Sequence, residues 1–394
     1  MVNDCLEPFD CQHKLFQNLN LNSTHEMEDL NDSKLAYVVA TECAVSLSKN
    51  YILHLAVKRD GDLTIAAGLS NASCLIYKLN DNGLIQLTSI KGHEEGITEL
   101  KFDKNDQNLL YTSSLDGTVK QWDLRNTAQS CYTLKGQDST KTPLLSFDED
   151  ISGRLLCAGT EHTDGDAFLL FWDSRSTKLL GGYWESHDDD ITQVQFHLYK
   201  RNLMMSGSTD GLINVFDISQ SNEDDSLQYT YNTMSSVQKL NWFKGKNNSE
   251  NISCITHTND LQIWDMENCS RIANFRRSSV TNFTKRIRCD DCYLINTHKT
   301  KDSDVMVIVG SNAGNGECLE GLLLGKENLQ HAISFPDNKQ IICSSFFDEK
   351  NELFIMGGET GILSVFKPEN SVNLNEKKNT NKVSNKKINK LKPY

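Results

Sequence analysis

No apolar run in this 394-residue chain approaches the roughly 20 residues that a membrane-spanning helix needs; the longest, such as residues 305–309, stop after a few positions. Residues 1–10 hold three acids and no apolar segment of the kind that opens a secretory leader. The chain is therefore expected not to be secreted, and Asn-x-Ser/Thr matches at Asn71, Asn247 and Asn251 are expected to stay unglycosylated. No 12-residue stretch carries the apolar stripe of an amphipathic helix. The 12 cysteines are scattered through strand-like segments such as residues 155–159, so they read as reduced intracellular thiols. Cys289 and Cys292 form a Cys-x-x-Cys with His298 six residues on, but no second cysteine pair supplies four zinc ligands. A βαβ context for redox chemistry is missing too, which leaves two unlinked thiols in an irregular loop. Residues 310–325 are dotted with glycine, yet lack the Gly-x-x-x-x-Gly-Lys and following helix of a phosphate-binding loop. No catalytic, metal or cofactor site is expected.

What is present is a foldable and unevenly charged chain, 38% hydrophobic and 24% charged with a net charge of −13. The last 24 residues carry seven lysines and one acid, so the remaining 370 carry −19. An acidic body repels nucleic-acid phosphates and favours basic protein partners. Residues 377–392, rich in Asn and Lys, are expected to be a disordered nuclear address or anion-binding arm.

Two segments align without a gap over 30 residues. One runs from Gly92-His93 through Ile97, Leu100 and Phe102 to Thr112, Asp116-Gly117 and Trp122-Asp123. The other runs from Ser186-His187 through Ile191, Val194 and Phe196 to Ser206, Asp210-Gly211 and Phe216-Asp217, each position displaced by 94 residues. Trp172-Asp173 closes a unit between them, which halves the period to about 47. Aromatic-Asp closures recur at Trp264-Asp265, with weaker forms at Tyr77-Lys78 and Phe366-Lys367. The interval from Trp264 to Phe366 leaves room for one more unit, with strands expected at 304–309 and 319–324. That makes seven. Apolar residues alternate over four to seven positions between Gly, Asp and Asn turns, the signature of short antiparallel strands.

At these residues the chain resembles the WD-repeat family of β-propellers over roughly residues 34–368. The resemblance implies an all-β, seven-bladed propeller of four-stranded blades around a central channel. An open ring would leave unpaired sheet edges, so the alternation at residues 34–45 is expected to supply the outer strand of the last blade. The expected organisation is an acidic flexible arm over 1–33, the propeller over 34–370 and a basic disordered tail over 371–394.

His93, Thr112, Asp116 and Trp122, with His187, Ser206, Asp210 and Phe216, look like hydrolytic triads. Their duplication at blade spacing instead fits the structural hydrogen-bond network of WD blades, which in the second copy must end at Ser206 because Phe216 has no indole donor. In a propeller, the loop entering a blade and the loop between its second and third strands share one rim. Glu94, Glu95, Glu161, Asp164, Asp166, Asp188, Asp189 and Asp190 fall in such loops over three neighbouring blades, an acidic docking face for a lysine/arginine-rich segment. Three consecutive aspartates cannot all converge on one ion, which weakens a calcium reading. On the opposite rim, Trp122-Asp123-Leu124-Arg125 and Trp172-Asp173-Ser174-Arg175 resemble the paired signature of substrate receptors for cullin-4 ubiquitin ligases, implying docking of the ligase adaptor through Arg125 and Arg175. The expected function is a monomeric, non-catalytic interaction scaffold or escort of the cytoplasm or nucleus, with a ligase substrate receptor as the alternative.

Overall fold

The computed structural model describes residues 35–45, 49–136, 142–245, 249–301, 304–325 and 328–371. The arm over 1–33 and the tail beyond residue 371 lie outside them. Among the described residues, 28 strands form seven four-stranded blades. Blades 1 to 6 span residues 52–91, 97–135, 144–183, 191–232, 237–275 and 292–334; blade 7 combines 342–368 with Leu35–Ala44. Neighbours within a blade are antiparallel throughout. Among the described residues, no helix is long and apolar enough to cross a membrane.

Burial is deepest in the second strand of each blade. The second strands, such as Leu155–Thr160 (LLCAGT) and Val305–Ser311 (VMVIVGS), are buried on both faces between adjacent blades. They therefore read as continuous small and apolar runs rather than alternating ones. Outer strands such as Ser270–Phe275 are largely solvated. The core is accordingly divided among the blade interfaces. Tyr111, Phe147, Leu156 and Trp172 fill the contact between blades 2 and 3, and Ile52, Ile65, Ile355 and Val365 fill that between blades 7 and 1.

Every inner strand carries a β-bulge near its start, one residue in for six blades and three residues in for blade 6, leaving residues 53, 98, 145, 192, 238, 295 and 343 unpaired. A bulge sharpens local twist, which each inner strand needs as it turns toward the channel axis. The bulges lie 45–48 residues apart except for one interval of 57, between blades 5 and 6. That interval holds an insertion with a helical turn, Arg277–Thr281, pinned by buried Val280 and Ile287. Expected strands 304–309 and 319–324 appear as Val305–Ser311 and Leu319–Leu324. The Cys-x-x-Cys departs from the irregular loop expected for it. Cys289 opens a single 3-10 turn, while Cys292 begins the inner strand of blade 6 and packs into the core beside Leu294; both thiols are free.

Leu35–Ala44 closes the ring. Seven of its residues, Tyr37 to Ala44 across a bulge, pair antiparallel with Ile362–Pro368, and Leu35 and Ala36 meet the outer strand of blade 6 in parallel. Tyr37 is buried against Phe354 and Phe335, with ring centroids 5.1 and 5.7 Å away.

Candidate interaction surfaces and the networks that hold them

In blade 2 the His93 Nδ1 lies 2.8 Å from Asp116 Oδ2, and Nε2 lies 2.6 Å from the Thr112 hydroxyl. The Trp122 indole N–H donates to the same hydroxyl at 2.9 Å. These contacts fit one direction of donation, from Trp to Thr to His to Asp. Burial alone would raise the Asp116 pKa, but hydrogen bonds from His93, Thr118 and the Glu94 amide outweigh it and hold the carboxyl well below its usual range. The Thr112 hydroxyl is fully buried and engaged on both sides, so no substrate can reach it. A nucleophile needs that access.

Blade 4 repeats the geometry, with His187 at 2.8 Å from Asp210 and 2.7 Å from Ser206. The two copies differ in a correlated way. A Cβ on Gly92 would stand 2.7 Å from the outer ring of Trp122. Blade 4 has Phe216 in place of that indole and Ser186 in place of that glycine: the smaller ring leaves room for the side chain. Asn214, which sequence reasoning did not single out, donates to the Ser186 carbonyl at 2.6 Å, as Lys120 Nζ does to the Gly92 carbonyl. The 94-residue offset relates Asn214 to Lys120, and that offset was the available signal. In blade 3, Trp172 instead donates to the Lys135 carbonyl at 3.1 Å.

The aspartate after each closing aromatic caps a turn. Asp123, Asp173, Asp217 and Asp265 accept from the amide two residues on, at 2.9–3.0 Å. In blades 2 and 3 that residue is an arginine, which also folds back as a fork. Arg125 Nε and Nη2 reach Asp123 at 2.9 and 2.6 Å, and Arg175 reaches Asp173 at 2.9 and 2.5 Å. The side-chain hydrogen bonds from the arginines lead in holding both carboxyls low.

The acidic residues lie at one edge of blades 2 to 4, since in an antiparallel blade the turn into the first strand and the turn after the second fall at the same end. Glu94 and Glu95 sit between blades 1 and 2, exposed; Asp164 and Asp166 are exposed and Glu161 is half-buried between the second and third strands of blade 3. Asp188 is exposed and Asp189 and Asp190 half-buried at the entry to blade 4. Asp190 Oδ1 accepts from the His162 amide at 2.8 Å, tying the blade 3 loop to the blade 4 entry. Each entry loop is also tied to the turn beside it, through the Glu94 and Asp188 amides to Asp116 and Asp210. Asp164 holds a left-handed backbone, φ 58°, a conformation Asp and Asn tolerate better than most residues.

A further carboxylate is buried where the inner strand of blade 3 ends. Glu149 is fully buried, and desolvation, then the nearby Asp103, pushes its pKa up to about 8, while the Lys104 amide, 2.9 Å from Oε2, pulls the other way. The folded state thus keeps a proton that the unfolded chain releases near pH 4.5. Stability from this group is lost as pH rises from about 4.5 to 8. Glu149→Gln is expected to gain stability over wild type progressively across that window in urea melts; parallel pH profiles for the two proteins would contradict the burial argument.

Part of this ring matches a known repeat family. Residues 85–123 and 178–217 match the WD domain, G-beta repeat. Each match begins in or just before the outer strand of one blade and ends at the aspartate closing the third strand of the next, so a repeat stitches two blades together. The chain is 27% identical over 313 residues to WD repeat-containing protein 89 homolog of Dictyostelium discoideum, covering 79% of this chain and 81% of that protein. It is 30% identical over 229 residues to WD repeat-containing protein GTS1 of Arabidopsis thaliana, covering 57% and 56%. A third relative, an uncharacterized WD repeat-containing protein of Schizosaccharomyces pombe, is 25% identical over 277 residues, covering 66% and 80%.

Proposed function

We propose that this WD-repeat propeller is a non-catalytic scaffold or escort that holds a basic protein segment on the acidic rim of blades 2 to 4. The observation that carries the reading is the Asp190–His162 hydrogen bond, which joins two carboxylate-bearing loops of neighbouring blades. Carboxylates anchored to rigid blades meet lysine and arginine heads with little ordering cost. Changing Glu161 and Asp164, Asp166, Asp188, Asp189 and Asp190 to Gln and Asn removes the charge, keeps hydrogen-bond acceptors for His162, and suits the left-handed position 164. Exposed ion pairs contribute only ~0.2–1 kcal/mol each, so single changes should barely register. Together the six should weaken capture of the basic client about a hundredfold. Wild-type capture should also fall steeply with salt, because the Debye length shrinks from roughly 30 Å at 0.01 M to roughly 3 Å at 1 M. Melting temperature should hold or rise as like charges are relieved. Salt-insensitive capture, or full retention by the variant, would place the partner on another face.

A second reading draws on Arg125 and Arg175, whose side chains remain 65% and 69% exposed in matching forks on adjacent blades. As a substrate receptor the protein would dock a cullin-4 ligase adaptor there. Replacing both arginines by alanine should then abolish adaptor capture without lowering the melting temperature by more than a few degrees. Wild-type protein that captures no adaptor ends this reading.

A further inference from the structure

The rim opposite the acidic loops holds a polar cleft of about 520 Å³, floored by the turns after the inner strands of blades 2, 3 and 4. Arg154 and Arg201, both exposed, line it from blades 3 and 4. Among the described residues, no hydrogen bond or ion pair occupies either guanidinium. The one acid in the lining, Asp150, is consumed locally: its carboxylate accepts from the Ser152, Arg154 and Leu155 amides and the Ser152 hydroxyl at 2.5–3.0 Å. Asn105 bridges to the Ser152 carbonyl at 2.6 Å, locking the blade 2 turn against the blade 3 turn. Ile151 and Ile218 add apolar wall.

Two guanidiniums held by no hydrogen bond or ion pair among the described residues, Arg154 sensing only the charge of Asp173, lie over a backbone-fixed floor and suit a doubly charged oxyanion, because arginine forks bind phosphate oxygens in pairs. At about 520 Å³ the cleft has room for more than a free anion, enough for a residue and its neighbours. A nucleic-acid strand gains affinity by having many phosphates neutralised at once, and a body of net charge −19 offers only a local pair of cations here. We infer that this cleft binds a phosphorylated serine or threonine of a partner peptide, with Arg154 and Arg201 taking the phosphate and Ile151 and Ile218 an aliphatic neighbour.

The test is fluorescence anisotropy of the full chain with an 11-residue degenerate peptide pool centred on phosphoserine, beside the same pool with unmodified serine. The phosphorylated pool should bind at least tenfold more tightly, and Arg154→Ala with Arg201→Ala should abolish the difference while leaving the thermal melt unchanged. Lysine at both positions keeps the charge but loses the fork, and should recover only part of the preference. Inorganic phosphate should compete only at millimolar concentration; competition at micromolar concentration would instead mark a site for the free anion. The six-site acidic-rim variant should retain phosphopeptide binding, which separates this site from the proposed client face. Equal binding of the two pools, a preference that survives the double alanine variant, or arginine-dependent binding of single-stranded RNA without peptide preference would overturn the assignment.

Discussion

Deleting residues 35–45 is expected to abolish the cooperative melt and drive the protein into aggregates on gel filtration. The strand removed pairs through seven residues with the third strand of blade 7 and touches the outer strand of blade 6. Its ladder hydrogen bonds are worth ~0.5–1.5 kcal/mol each, and the buried Tyr37 adds about 3–5 kcal/mol. That sum rivals the ~5–15 kcal/mol by which a domain is stable at all. Two sheet edges would then be exposed, and unpaired edges recruit other chains. A chain beginning at residue 34 should melt with the full-length protein. Native-like melting of the protein lacking residues 35–45 would contradict closure by this strand.

Phe216→Ala should destabilise the fold by about 3–5 kcal/mol, because a fully buried ring that packs 5.2 Å from Tyr183 leaves a cavity that rigid blades cannot close. A loss under about 1 kcal/mol in urea melts would mean that the blade 4 core tolerates the void, contrary to its packing. The enlarging change is equally informative. Phe216→Trp alone should cost about 1–3 kcal/mol, since the indole meets the Ser186 side chain as Trp122 would meet a Cβ on Gly92. Adding Ser186→Gly should recover most of that loss, because the indole N–H can then reach Ser206 as Trp122 reaches Thr112. Additive effects of the two changes would separate these positions physically.

The parts of the fold that were legible in the sequence are those where geometry demands a residue type at a fixed interval. His, Ser/Thr and Asp recur at 94 residues because each network needs all three, and the closing aspartates recur because each caps a turn. Ring closure followed from the alternation over residues 34–45 and the cost of an open edge. The inner-strand bulges left no trace, since bulged positions hold residues as different as Leu53, Thr98 and Gln238. The insertion between blades 5 and 6 hid its anchors, Val280 and Ile287, in a polar, basic stretch without strand alternation. The arginine cleft was invisible for another reason. Asn105, Arg154 and Arg201 come from three turns roughly one blade period apart, and only the ring brings them together.

Zero-length coupling of carboxylates to amines, applied to the scaffold with its bound basic client, reads the central claim residue by residue. Client lysines are expected to be joined to Glu161, Asp164, Asp166 and Asp188–Asp190, with the yield falling as salt is raised. Client cross-links confined to the opposite rim or the outer strands, with these carboxylates untouched, would contradict it.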